Sequence, residues 1–211
     1  MASGDGGGNG SGEGLNRWTT LKVKSVYENP WIKVDEHDVL TPAGTPGIYG
    51  VVTFKNLAIG VVPIDDRGRV TLVGQYRYAL GLYSWEIPEG GGDPQLPPVL
   101  SAQRELREET GLEAAHWHDL LTMHPSNSVT TEIAHLFVAW GLTQGEAEPE
   151  ETEDLALSTV PLAAAIAMIA DGRITDSLTV AALLQLQVML LSGTLPPGLA
   201  DILQRADATA G

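Results

Sequence analysis

Between Trp85 and Leu112 the chain passes from a short strand through three consecutive glycines, Gly90 to Gly92, into a segment carrying Glu105, Glu108 and Glu109. The glycines mark a triple-glycine turn, a place where the backbone turns sharply or approaches another group closely. Helical character begins at Val99, with Pro97 and Pro98 tolerable just before or within the first turn. It ends at Thr110, and Gly111 stands where a C-terminal cap belongs. On that helix Glu105, Glu108 and Glu109 fall at i, i+3 and i+4, so three carboxylates share one face at a cost of about 0.2–0.5 kcal/mol per like-charged pair. Two compensations are open. Arg104 and Arg107 can neutralise an ordinary solvated face, or the face can hold a cation, for which oxygen-only ligands select Mg²⁺ or Mn²⁺ over zinc.

The rest of the chain supplies a framework for this segment. Trp18–Glu28, Trp31–Leu40 and Ile48–Phe54 alternate with period two and are separated by turn residues, as antiparallel strands are. Leu57–Ile64 and Val70–Tyr78 flank Asp65-Asp66-Arg67-Gly68 and read as a hairpin. Strands are also expected at Ser84–Pro88, Trp117–Met123 and Glu132–Trp140, the last two on either side of a polar loop. Gln144–Asp154 is an acidic loop, and Pro161–Ala170 and Ser177–Leu191 are Ala- and Leu-rich helices. The expected class is α/β, a layered domain with inserted helices. Residues 1–16 read as a flexible Gly-rich leader and 17–56 as an N-terminal β region. Residues 57–192 form the main domain, and 193–211 a C-terminal tail that frays.

Composition narrows the partners. The 211 residues carry 27 Asp and Glu against 12 Lys and Arg, a net charge of −15, which disfavours nonspecific binding to nucleic acid or anionic membrane. The longest apolar run, Leu178 to Leu191, falls short of the about 20 residues that span a bilayer. No cysteine is present, which excludes disulfides, thiolate zinc sites and thiol nucleophiles and fits a cytoplasmic setting. The five histidines, His37, His116, His118, His124 and His135, show no metal-binding spacing and read as structural. Arg77, beside Tyr76 and Tyr78, either clamps phosphate in a bidentate fashion or is a solvent-facing strand residue. Glu86 is either a substrate or metal contact or a strand-end charge. Trp31 and Trp85 either stack on a nucleobase or serve as core or subunit contacts.

The segment from Gly90 through Arg104-Glu105-Leu106-Arg107-Glu108-Glu109-Thr110-Gly111-Leu112 resembles the box of the Nudix hydrolases, which runs G, five residues, E, seven residues, R-E-U-x-E-E-x-G-U, with U apolar. One position departs, Leu96 standing where the box has its first Glu; in the family that residue supports the loop and the box Arg. Gln75-Tyr76-Arg77-Tyr78, Trp85-Glu86-Ile87-Pro88-Glu89-Gly90-Gly91 and Ser126–Glu132 are similar to the branch that cleaves ADP-ribose and nucleoside diphosphate sugars. The resemblance implies an α/β/α sandwich with a mixed sheet behind a small antiparallel N-terminal substructure, often a dimerisation element. It implies metal held by Glu105, Glu108 and Glu109 with the Glu89 carbonyl, and a catalytic set of Glu108, Glu132 and Arg104. Glu132 is the expected base, with Glu108 as its competitor, and the alternative for Glu132 is an ordinary loop-end charge. Arg77, Tyr76 and Glu86 would meet the substrate. The implied reaction is Mg²⁺- or Mn²⁺-dependent pyrophosphate cleavage, by a homodimer, to a nucleoside monophosphate and a sugar phosphate. Competing readings are a Nudix enzyme acting on dinucleoside polyphosphate, coenzyme A or a damaged nucleotide, a module that binds nucleotides with little turnover, and a structural interaction protein. The last leaves the Glu cluster unexplained.

Overall fold

The computed structural model describes residues 16–145 and 154–210. The expected leader and most of the acidic loop lie outside the described residues. Three strands, β1 (Thr19–Glu28), β2 (Ile32–Leu40) and β3 (Pro46–Phe54), form an antiparallel sheet in that order. The larger sheet runs β10-β5-β4-β9-β8, with β6 added to β5 and β7 to β4. Its strands are β4 (Leu57–Ile64), β5 (Arg69–Arg77), β6 (Leu82–Glu86), β7 (Glu89–Gly92), β8 (Leu112–Met123), β9 (Ala134–Gln144) and β10 (Ala156–Pro161). The helices are α1 (Pro98–Thr110), α2 (Leu162–Ala170), α3 (Ser177–Ser192) and α4 (Pro197–Ala210). Strands β4 and β9 pair in parallel while the other pairs are antiparallel, so the sheet is mixed.

Period two sorts the central strands onto two cores. Ile59 and Val61 of β4 and Phe137 and Ala139 of β9 pack with Ala102 and Leu106 of α1. Val62, Ile64, Leu136 and Val138 face the other way, against Leu183, Leu186 and Leu199 of the later helices. Helices therefore cover both faces of the sheet, which is why β4 reads as a near-continuous apolar run. Together these layers make the expected α/β/α sandwich.

Several expectations change. The hairpin between β4 and β5 is turned by Asp65, whose side chain accepts the amides of Arg67 and Arg69 at 2.9 Å each. Only Ile64 and Val70 pair across it. The strands then diverge because β7 pairs with β4 over Leu57–Gly60 while β5 takes β6 and β10. The three glycines form part of strand β7 and not a turn, and none has positive φ. Their role is close approach: a Cβ on Gly90 would collide with the Glu105 carboxyl group, and one on Gly92 would stand 2.8 Å from Ile59. The segment expected to fray is α4, with Leu199, Ile202 and Leu203 buried in the main core. Its spacing of i, i+3 and i+4 behind two prolines is that of an amphipathic helix start. Strand β10, which the acidic stretch before it obscured, closes the β5 edge.

The N-terminal sheet is joined to the loop that carries Glu132. Val52 donates its amide to the Val129 carbonyl at 2.8 Å and accepts from Thr131 at 3.0 Å, and the Tyr49 hydroxyl donates to the Ser128 carbonyl.

Candidate active site

Helix α1 begins with Pro98 at its first turn and ends at Gly111, whose φ of 69° lets its amide return to the Arg107 carbonyl. These limits orient one face toward β7. Glu105 and Glu109 are buried, and Glu109 accepts the Glu89 amide at 3.0 Å. Arg104 ties the face together: Nη1 donates to Glu108 at 2.8 Å, and Nη2 donates to Glu105 and to the Gly91 carbonyl, each at 2.6 Å. Leu96 is half exposed, and Arg104 finds these three acceptors without a carboxylate at that position.

In front of β7 lies a cleft of about 290 Å³ whose walls include Arg77, Glu89, Gly90, Glu132 and Asp176. Glu105 and Glu109 stand directly behind that wall, against Gly90 and Glu89. Arg77 reaches in from the end of β5. Its Nε donates to both Glu86 oxygens at 3.0 Å, and Nη2 pairs with Glu86 and Glu89. Burial works against the guanidinium charge, but its bonds to Glu86 and Glu89 outweigh that and raise its pKa. Arg77 is thus a paired residue of the cleft and not a solvent-facing strand arginine.

Asp176 is the residue that sequence reasoning missed. It caps α3, accepting the Thr179 amide at 2.7 Å, and Thr179 Oγ1 in turn accepts the Ile87 amide at 3.0 Å. The cap therefore seats the start of α3 on the link between β6 and β7, just before Glu89. Oxygens of Glu86, Glu89 and Asp176 gather within 4.8 Å of one another. An Asp before an apolar helix was a legible cap signal, but nothing local tied it to the glycine strand.

Burial, then Asp176 and Glu86, raise the Glu89 carboxyl well above the ordinary carboxylate range against the pull of Arg77. Its Oε2 is buried and has no hydrogen-bond partner among the described residues. An orphaned carboxylate oxygen within an all-oxygen set of Glu86, Glu89, Asp176 and the α1 carboxylates suits a hard divalent cation. Glu132 also lines the cleft, and burial raises its pKa as well.

Other candidates fall outside the cleft. Tyr76 and Tyr78 are exposed and do not line it. Trp85 packs against the main core beside Tyr83, and Trp31 is exposed near the N-terminal sheet. No histidine lines the cleft. His116 stacks on Trp140 at 5.3 Å, and His135 Nδ1 lies 3.3 Å from Thr122 Oγ1.

Comparison with known proteins identifies the relatives of this chain. Residues 54–182 match the NUDIX domain, and residues 18–52 match the nucleoside diphosphate sugar hydrolase N-terminal domain. The chain is 35% identical over 173 residues to an ADP-ribose pyrophosphatase of Mycobacterium tuberculosis (strain ATCC 25618 / H37Rv), covering 78% of this chain and 81% of that protein. It is 33% identical over 171 residues to a methanol dehydrogenase activator of Bacillus methanolicus, covering 80% and 92%. A solved structure of an ADP compounds hydrolase superposes with a TM-score of 0.78 at 25% identity, covering 87% of this chain and all of that one. The chain therefore belongs to the Nudix family, as a hydrolase of the pyrophosphatase type.

Proposed function

We propose that this enzyme cleaves the pyrophosphate linkage of ADP-ribose or a nucleoside diphosphate sugar, giving a nucleoside monophosphate and a sugar phosphate. The observation that carries the reading is the cleft in which Arg77, Glu89 and Glu132 converge in front of the box carboxylates. The N-terminal match to nucleoside diphosphate sugar hydrolases and the relative named ADP-ribose pyrophosphatase support the substrate class.

Glu105, Glu108 and Glu109, with Glu89, would hold Mg²⁺ or Mn²⁺, which when bound neutralises phosphoryl charge and acidifies water. Glu132 takes the proton of the attacking water, a role served by a carboxyl whose pKa burial has raised toward neutrality. Arg104 holds Glu105 and Glu108 in register, and Arg77 holds Glu86 and Glu89 while presenting charge to the diphosphate. Tyr76 is exposed next to Arg77 and lies outside the cleft, so as a substrate contact it would meet a part of the substrate that extends beyond the cleft. The active species is a homodimer, formed through the exposed apolar side chains of the N-terminal sheet, among them Leu21, Val23 and Ile48. Its setting is cytoplasmic, in keeping with a chain that has no cysteine.

The test is a panel of ADP-ribose, nucleotide sugars, dinucleoside polyphosphates and coenzyme A with Mg²⁺, with products identified by mass. Nucleoside monophosphate and sugar phosphate in equal amounts are expected. Preferential cleavage of a dinucleoside polyphosphate or coenzyme A would move the enzyme to another Nudix branch.

A further inference from the structure

On another face of α1 the structure holds a cavity of about 410 Å³ that shares no lining residue with the carboxylate cleft. Leu100, Gln103, Arg104 and Arg107 stand at i, i+3, i+4 and i+7 and form one wall, and Glu113 and Trp117 of β8 form the other. The indole is fixed in place. Its Nε1 donates to the Ala114 carbonyl at 3.1 Å, and the ring meets Phe137 edge-on at 6.4 Å.

Three chemistries meet here. Arg107 makes no ion pair among the described residues and offers a guanidinium to an anion. Trp117 and the exposed Leu100 offer a rigid apolar wall to a flat ring. Gln103 and Glu113 offer acceptors to ring amino groups or sugar hydroxyls. The volume lies within the range of small-molecule sites, about 300–1,000 Å³. Arg104 couples the two faces, since it lines this cavity and also holds Glu105, Glu108 and the Gly91 carbonyl.

We propose that the cavity between α1 and β8 is a second nucleotide site, filled by a nucleoside monophosphate whose phosphate pairs with Arg107. The bound anion competes with Glu105 and Glu108 for Arg104, loosens the box carboxylates and slows turnover. The slowing rests on the hydrolase reading above; the binding does not.

The test uses the full chain with Mg²⁺ and AMP as the probe. Isothermal titration should count two AMP per wild-type chain and one per Arg107→Glu chain, with circular dichroism unchanged in the exposed-residue variant. In steady-state assays AMP should both lower kcat and raise apparent KM of the wild type. Arg107→Glu should keep the basal kcat and KM and show only the competitive component. An Arg107→Glu chain that binds as many AMP as the wild type would overturn the proposal. If no compound in the substrate panel is cleaved, the hydrolase reading fails, and the AMP count still decides the site: loss of one equivalent in Arg107→Glu supports it and an unchanged count rejects it.

Discussion

At Glu109 a buried carboxylate accepts the Glu89 amide while facing the glycine strand. Glutamine retains a carbonyl that can accept the same amide, so Glu109→Gln should fold normally and lose only the charge. Turnover is expected to fall by at least about 100-fold, with Mn²⁺ affinity weakened in parallel. Wild-type turnover at saturating substrate would remove Glu109 from the metal set. Glu132, as the proposed base, would act in a different step. It would take the proton in the transition state, so Glu132→Gln should lower kcat by about 10²–10⁴-fold with KM nearly unchanged. A base must be ionised to act, and burial raises the pKa of this carboxyl. Activity should therefore be lost as pH falls through a value above the ordinary glutamate pKa, and a pH profile of kcat should show that acid limb disappear in Glu132→Gln. If the variant matches wild type, Glu108 becomes the base.

Among the elements, α3 and α4 show how a segment outside the box shapes the site. Asp176 both caps α3 and joins Glu86 and Glu89. Asparagine caps a helix about as well as aspartate, so Asp176→Asn should keep its melting temperature while kcat/KM falls about 10–100-fold. A lowered melting temperature with intact kinetics would reduce Asp176 to a cap. Helix α4 is an equally direct case: Leu199 is fully buried in the core that α3 also fills. Leu199→Ala should cost about 2–5 kcal/mol in denaturant unfolding, whereas a frayed tail would lose almost nothing. Helix α1 was legible locally because its prolines, its carboxylate spacing and Gly111 all act within a few turns. Helix α4 was obscured by a Gly- and Pro-rich approach, although Leu199, Ile202 and Leu203 carry the helical period. The β4–β5 hairpin was legible at its turn but not in its extent: turn chemistry sets only the first pair, and the rest of that edge of β4 is taken by β7, which lies further along the chain.

For the molecule as a whole, the N-terminal sheet leaves Leu21, Val23, Val26, Trp31 and Ile48 exposed while bonding to the loop that leads to Glu132. A dimer built on this sheet would bury those side chains and steady that loop at once. Ile48, 71% exposed, can accept a charge without disturbing the monomer core. Ile48→Asp should therefore halve the mass seen by light scattering and lower activity, and a wild-type monomer would refute the dimer. The sequence by itself determined the box helix, the alternating strands of the N-terminal sheet and the central strands β4, β5 and β9. These depend on spacing along the chain, where backbone geometry turns i, i+3 and i+4 or period two into a shared face. Only the tertiary structure decided that Asp176 closes on Glu86 and Glu89, that Arg77 is engaged by two carboxylates, and that Arg104 lines the α1–β8 cavity while it pairs with two box carboxylates. Each of those outcomes depends on which distant strand or helix packs against the segment, and burial in that packing sets the partners and pKa values that no local pattern encodes.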